Sequence, residues 1–388
     1  MMKHIIYLAM LLFVLSGCVE PFNPNTSHVD SMLVIEGIIT SGTTQINLSR
    51  TVGLYDWLFE DMVNVDDALV YVECDDGSKS PITWSSGKGI YLIDTGELNV
   101  DAGYRLVVLH HEEEYHSSFI TPAISPPLAV TFTVEHDVIH VCVSTYGSEN
   151  QPGYYLWSYK EDWEVTAYVR GDFAIIDGDT VPNDIYSHNN RHYCWEKDSS
   201  KNLILGTTEK LSENSVIEKR INTFNRSDNR ASMLYRIQVK QNTIHKEGYD
   251  FFYNLQKNVE QTGSIFGAIP SEVVGNIRCV SNPNLHVIGY VDVSTTSTDE
   301  QYLSYQYYDE SAFVINASLC FDAAIEAPEI ITDNLVLFQY RFREKLPPEI
   351  PPAVDTIFMY IEKNCVDCTL RTAGASKNRP IDWPNNHY

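Results

Sequence analysis

Apolar residues first concentrate in a short run near the N-terminus, Ile5 to Leu15, which follows one positive charge at Lys3. Such a run is too short to cross a bilayer core, which takes about 20 residues, and is typical of a secretory signal. It ends in Leu15-Ser16-Gly17-Cys18, where small residues precede a cysteine. We interpret this stretch as a lipobox, which predicts cleavage before Cys18 and attachment of lipid to its thiol.

An ordinary cleaved signal peptide with an incidental cysteine is the alternative, because small residues also mark such cleavage sites. We expect residues 1–17 to be the signal peptide. Residues 18–30 contain Pro21 and Pro24 and should form a semi-extended tether.

From Met32 onward the pattern changes to short strand-like runs. Thr44 to Ser49 alternates polar and apolar residues, the period of a half-buried strand. Similar runs separated by turn-forming residues recur at Ala68 to Cys74, Ile90 to Asp94, Tyr104 to Leu109 and Tyr115 to Ile120. Strands at this spacing predict an immunoglobulin-like β-sandwich domain over residues 31–125, ending at a stiff linker between Pro122 and Pro127.

A second β-rich domain is predicted over residues 126–345. Its expected elements are a hairpin at Val130 to Val143, an aromatic strand at Tyr154 to Val165, a loop at Gly171 to Arg191, a strand at Leu234 to Lys240 and a hairpin at Arg278 to Val291. Helical spacing appears once, from His245 to Gln261. The fold class is therefore mainly β, with two β-sandwich-like domains, one long helix packed on the second, and a Pro- and Cys-containing tail over residues 346–388.

The formal net charge is −25, which restricts the classes of partner that the protein can bind. Nucleic-acid binding requires lysine and arginine to neutralise phosphates, so this balance argues against it. It also argues against lying flat on an anionic lipid surface. Since no later run is long and apolar enough to span a bilayer, we expect the lipid on Cys18 to be the attachment to the membrane.

Eight cysteines are present, and removing Cys18 leaves an odd number for pairing. Cys365 and Cys368 form a Cys-x2-Cys pair that fits a local disulfide, half a zinc site or a redox pair. Our hypothesis is that at least one of them is oxidised and fastens the tail to the second domain. Cys279 and Cys194 are the distant partners we favour, because both lie in strand-like segments of that domain.

Three clusters are candidates for metal binding. His110 to His116 contains histidines and glutamates, but strand alternation would send His110 and His111 to opposite faces, and no ligand from another element can be named. His188, His192 and Cys194 have a spacing that suits a helix better than a loop and a strand. The acidic stretch from Asp177 to Asp184 lacks the pattern of a calcium loop. We therefore expect no metal and no other cofactor.

The usual catalytic sequence patterns are also absent. The chain has no Gly-x-Ser-x-Gly, no His-Glu-x-x-His, no phosphate-binding loop and no dinucleotide fingerprint. Acidic pairs are too frequent to single out two catalytic carboxylates. We therefore predict a protein that is not an enzyme and has no catalytic residues.

Several stretches, in this order, resemble one known family. They are the lipobox with Glu20-Pro21-Phe22, Leu33 to Ile39 leading to Leu48-Ser49-Arg50-Thr51, Trp157 to Val165, Cys194-Trp195, Phe251 to Phe266, Gly275-Asn276-Ile277 with Asn282-Pro283 and Gly289-Tyr290, and Cys365 to Arg371 with Arg379 to Trp383. Together they resemble the domain-of-unknown-function 4249 lipoproteins of Gram-negative bacteria. The resemblance implies an outer-membrane lipoprotein encoded beside a TonB-dependent transporter, and it brings no catalytic residues.

Three functions are weighed on this basis. The first is a lipid-anchored binding or accessory subunit of a TonB-dependent barrel that serves nutrient uptake, for which an aromatic-rich β-protein is well suited. The second is a structural, assembly or surface-adhesion lipoprotein of the outer membrane. The third is an exported hydrolase.

Overall fold

The structure is a computed structural model that describes residues 31–51, 63–147, 152–168, 173–176, 179–182, 192–211, 213–261, 275–304, 320, 335–343, 354–372 and 374–384. The predicted signal peptide, Cys18 and the tether lie outside these residues. Within the described ranges, no helix is both long enough and apolar enough to cross a membrane.

Strands dominate the described chain, as the sequence pattern predicts. They are β1 (Leu33–Ile39), β2 (Gly42–Arg50), β3 (Val63–Asn64), β4 (Leu69–Cys74), β5 (Ile90–Gly96), β6 (Tyr104–His110), β7 (Glu113–Ser117), β8 (Leu128–Glu135), β9 (Val138–Tyr146), β10 (Tyr154–Thr166), β11 (Phe173–Ile176), β12 (Asp179–Pro182), β13 (Tyr193–Ser199), β14 (Ile204–Thr207), β15 (Ser215–Asn225), β16 (Leu234–Thr243), β17 (Ile277–Cys279), β18 (Val287–Val293), β19 (Thr296–Ser304), β20 (Leu335–Arg343) and β21 (Val354–Glu362). The helices are α1 (Lys246–Gln261), α2 (Lys363–Val366) and α3 (Cys368–Arg371), and a 3-10 turn spans Asn229–Ala231. The mainly β fold class is confirmed.

Two sheets form the part of the molecule that we call the first body. One has the order β18-β1-β2-β3, with β5 also paired to β2, and the other has the order β17-β7-β6-β4. A single apolar core joins them, and its fully buried members come from both sheets, among them Ile35, Ile46, Leu106 and Val291. The alternation seen in the sequence thus places one face of each strand in this core.

The hairpin predicted at Arg278 to Val291 is not formed. β17 pairs with β7 and β18 pairs in parallel with β1, so these two strands join different sheets of the first body. Gly289 permits this pairing, because a Cβ at that position would collide with the carbonyl oxygen of Ile35. The two segments are close in sequence, which suggests a hairpin, but their apolar residues are buried against strands far upstream. Strands that we expected in the second domain therefore complete the first body.

Two further sheets form the second body. One has the order β13-β10-β16-β19, with β14 also paired to β10, and the other has the order β15-β9-β8. Tyr235, Ile237, Trp157, Ile139 and Val143 are buried in their shared core. The expected hairpin is present as β8 and β9, and the expected aromatic strand is present as β10.

The stretch from Gly171 to Arg191, which we expected to be a loop, contains the strands β11 and β12. They pair antiparallel, with Ile176 opposite Asp179. Asp177-Gly178 lies outside the described residues, and Asp-Gly is a sequence that favours a hairpin between two strands. β11 also pairs with β20, which pairs with β21. The rest of the predicted loop, including His188, lies outside the described residues.

Two chain segments run side by side from one body to the other, and we call them the first and the second crossing. The first lies in the predicted linker and the second joins β18 to β19, and they are bridged in parallel at Ala123 and Ser294. The Ser125 hydroxyl donates to the Thr295 carbonyl at 2.7 Å and accepts from the Thr243 amide at 2.8 Å. Hydrogen bonds therefore tie both crossings to β16 of the second body.

The helix α1 agrees closely with the predicted range of His245 to Gln261. Phe251 and Phe252 are buried in a small apolar cluster with Tyr290 of β18 and Tyr154 of β10. Since these partners belong to different bodies, α1 packs on the first body as well as on the second.

Candidate functional site

A large cavity with a mainly apolar lining lies between the two bodies beside α1. Its volume is about 690 Å³. Residues of β1, β10, β16 and α1 line it, together with the connection between β13 and β14, and they include Glu36, Ile38, Leu156, Trp157, Ser158, Lys201, Leu203, Lys240, Asn242, Phe252 and Leu255. We call this cavity the cleft.

Strand alternation explains why the cleft has walls of mixed polarity. On β1, Ile35 is buried in the first core, so its neighbour Glu36 points to the other face. On β16, Val239 is buried in the second core and Lys240 points away from it. The cleft is thus formed where the two sheets present the faces that are not used for their own cores.

Two opposite charges line the cleft without partners among the described residues. Removal of water by the surrounding protein raises the pKa of Glu36, even though its side chain remains open to solvent. Burial lowers the pKa of Lys240, and the positive charge of Lys160 adds to this effect. Both shifts mean that the charged forms lack compensation, so a ligand of complementary charge would stabilise them.

Buried polar bonds hold the walls of the cleft in place. The indole Nε1 of Trp157 donates to Oε1 of Gln241 at 2.8 Å, and both side chains are fully buried. The amide Nδ2 of Asn242 donates to Oγ1 of Thr296 at 2.9 Å. Because Thr296 begins the strand after the second crossing, this wall is connected directly to the junction between the bodies.

A histidine and an aspartate meet where α1 begins. Nδ1 of His245 lies 2.7 Å from Oδ1 of Asp292, and the His245 amide donates to Oδ2 at 2.9 Å. Asp292 is completely buried, and its hydrogen bond to the ring raises the pKa of His245. A second cavity of about 660 Å³ adjoins His245. The pair resembles a catalytic dyad in its contacts, but its carboxylate is used to fix the start of the helix.

The three predicted metal clusters have different outcomes in the structure. His110 and His111 lie together beside Asp67, a residue that the sequence patterns did not single out. His188 lies outside the described residues. Cys194 is disulfide-bonded, so its sulfur is not available as the thiolate that the His188, His192 and Cys194 set would need. The stretch from Asp177 to Asp184 contains β12, and its other four residues lie outside the described residues.

Two disulfides hold the C-terminal tail. Cys194 of β13 is bonded to Cys368 of α3, and Cys320 is bonded to Cys365 of α2. Cys279, which we favoured as a partner, is instead a free buried thiol of the first core, because β17 joins that body. Cys320 was missed because no feature of the sequence around it indicates a partner.

Packing also holds the tail. Trp383 is buried, and its Nε1 donates to Oε2 of Glu164 at 3.3 Å. Ser376 exchanges two backbone hydrogen bonds with Trp195 of β13. The disulfide at Cys194 therefore acts together with noncovalent contacts on the same strand.

We predict that replacing Cys194 and Cys368 together by alanine lowers the free energy of unfolding by about 2–4 kcal/mol, because a long covalent loop is lost from the unfolded chain. Denaturation by urea without reductant measures this change. Cys142→Ala, which removes a buried free thiol, controls for lost packing. Peptide mapping under non-reducing conditions should recover the linked peptide, and free thiols at both positions would contradict the pairing.

We predict that the stabilising effect of His245 depends on pH. Because the folded state raises its pKa, its contribution is complete below its ordinary pKa of about 6.5 and is lost as the pH rises through the folded-state value. The melting temperature of wild type should therefore exceed that of His245→Gln by more at pH 5.5 than at pH 9. His286→Gln, at an exposed histidine, is the control. An equal difference at both pH values would refute the assignment.

A family model described as "Domain of unknown function (DUF4249)" matches residues 19–300. The matched range includes Glu36, Lys240 and α1, and it ends before the cysteines of the tail. No curated protein matches the chain. Because the match covers most of the sequence, as the resemblance predicted, the protein belongs to the DUF4249 family.

Proposed function

We propose that the protein is a lipid-anchored binding protein of the outer membrane, which captures a small ligand in the cleft and acts as an accessory subunit of a TonB-dependent transporter in nutrient uptake. The cleft is the observation that carries this proposal. Ligand sites favour the boundaries between structural units and are mostly apolar with a few polar groups, and about 690 Å³ is a size typical of such sites.

The lining of the cleft indicates the kind of ligand. Leu156, Phe252 and Leu255 offer apolar contact, while Glu36 and Lys240 offer opposite charges. A ligand that carries an ammonium group, a carboxylate and an apolar side chain complements all of these groups. Short peptides are a class of nutrient with this combination.

The cellular location rests on separate observations. The lipobox supports anchoring through Cys18, and the two disulfides support an exported compartment, where oxidised cysteines persist. The transporter partner is what the family resemblance implies. In an exported protein the cleft would be open to nutrients outside the inner membrane, which supports a role in binding them.

We predict that a pool of dipeptides and tripeptides raises the melting temperature of the purified mature protein. Leu255→Trp should abolish this shift by filling the cleft. Tyr253→Trp is the matched control, because Tyr253 lies on the same helix and is exposed. A pool of oligosaccharides tests the main competing ligand class. If no pool shifts the melting temperature, or if both tryptophan variants behave alike, ligand binding in the cleft is wrong.

We predict that the protein, purified from outer membranes in mild detergent, brings a barrel protein with it in a fixed ratio. Cys18→Ala should leave the body folded but move it to the soluble fraction, since lipid is then absent. A variant that still sediments with membranes after a carbonate wash would contradict anchoring by lipid alone. Preparations of wild type without a barrel partner would contradict the accessory role.

A further inference from the structure

A compact group of metal-ligand side chains lies at one end of the first body and contributes no residue to the cleft. Asp67, His110 and His111 each offer one ligand atom, and these atoms lie within 4.8 Å of one another. Nε2 of His110 is 3.0 Å from Oδ1 of Asp67, and Nε2 of His111 is 4.0 Å from Oδ2 of the same carboxylate. We call these three residues the His-Asp cluster.

The pairing of β4 with β6 explains why the cluster forms. Leu69 is opposite Leu109, and the same register continued by two residues places Asp67 opposite His111. His111 has a left-handed backbone, with φ of 55°, which ends the strand alternation. The two histidine rings consequently lie on the same side, with their centroids 4.0 Å apart. This corrects our expectation that the two histidines point to opposite faces and that no ligand from another element can be named.

We infer that the His-Asp cluster binds a divalent transition-metal ion such as Zn²⁺. Imidazole nitrogen and carboxylate oxygen are common zinc ligands, and metal–ligand distances of about 2.0–2.2 Å place neighbouring ligand atoms about 3.3 Å apart in a tetrahedral site. The closer observed pair already fits this geometry. The wider pair needs a small shift of two side chains that are 67% and 64% exposed.

Three protein ligands leave a fourth position of the tetrahedron open. In structural zinc sites all four positions are occupied by protein, whereas sites with three protein ligands keep one for water or an incoming donor. The exposed position of His111 and Asp67 allows a donor from another molecule to reach the ion. The site is therefore suited to binding an ion that exchanges with its surroundings, or to joining the protein to a partner through the ion.

Arg50 contacts His110 and thereby opposes the binding of a metal ion to this histidine. Its Nη2 lies 3.4 Å from Nδ1 of His110, and a guanidinium can only donate, so this contact places the ring proton on Nε2, facing Asp67. Binding of a metal at Nε2 requires that the proton move to Nδ1, which ends the contact with Arg50. The Nη1 atom of Arg50 keeps its hydrogen bond to the Ser31 carbonyl at 3.0 Å.

Titration of the purified mature protein with Zn²⁺ alone, followed by calorimetry at neutral pH, tests the inference. We expect one saturable site in wild type and at least a tenfold loss of affinity in His111→Asn, since asparagine tolerates the left-handed backbone. His136→Asn is the matched control. His136 also has a left-handed backbone, with φ of 57°, and it lies between Glu135 and Asp137 in the connection of β8 to β9.

Arg50→Met separates metal binding from a purely structural cluster. Removal of the competing donor and its positive charge should raise the affinity for Zn²⁺ several-fold, and circular dichroism verifies that each variant is folded. A wild-type protein that binds no zinc, or a folded His111→Asn variant that binds as tightly as wild type, overturns the inference. Affinity that is unchanged in Arg50→Met would overturn the assignment of His110 as a ligand.

Discussion

The parallel pairing of β18 with β1 is the interaction on which the rest of the structure depends. It brings Val291 and Val293 into the first core, where both are buried. Asp292 lies between them, points the other way and fixes the start of α1 through His245. The same strand then continues into the second crossing and on to β19. One pairing thus joins a core, a helix and the junction between the bodies, and through β1 it also forms a wall of the cleft.

Local patterns were sufficient to predict most individual elements. The alternation of Thr44 to Ser49, the aromatic run from Tyr154 and the helical spacing from His245 each correspond to an element of the structure. Pairing was harder to predict, because the apolar residues of β18 are compatible with several partners. Sequence proximity favoured a hairpin of β17 and β18. Burial in the first core instead pairs β18 with β1 and β17 with β7. Such a choice depends on contacts distant in sequence, which the local patterns of a single sequence do not reveal.

The candidate sites depend even more on long-range register. Glu36 interrupts an apolar strand and Lys240 lies in a strand of mixed polarity, and such weak signals become meaningful only when two sheets face each other. The histidine-rich turn was visible in the sequence, but Asp67 enters only through the register of β4 and β6. The Asp177-Gly178 pair shows the opposite case, since a recognisable hairpin signal was interpreted as an acidic loop. The cleft was not predicted at all, because both of its walls are the faces left over from separate cores.

The order of the disulfide-bonded cysteines has a consequence for the way the protein matures. The pair Cys320–Cys365 joins consecutive cysteines and lies inside the loop closed by Cys194–Cys368, whose two cysteines are not consecutive in the chain. If the protein is exported as we propose, an oxidant that links thiols in their order of emergence would first link Cys74, Cys142 and Cys194 to one another. Two of these three remain reduced and buried in the native protein. Maturation therefore requires either rapid burial of the early thiols or an isomerase that reshuffles wrong bonds.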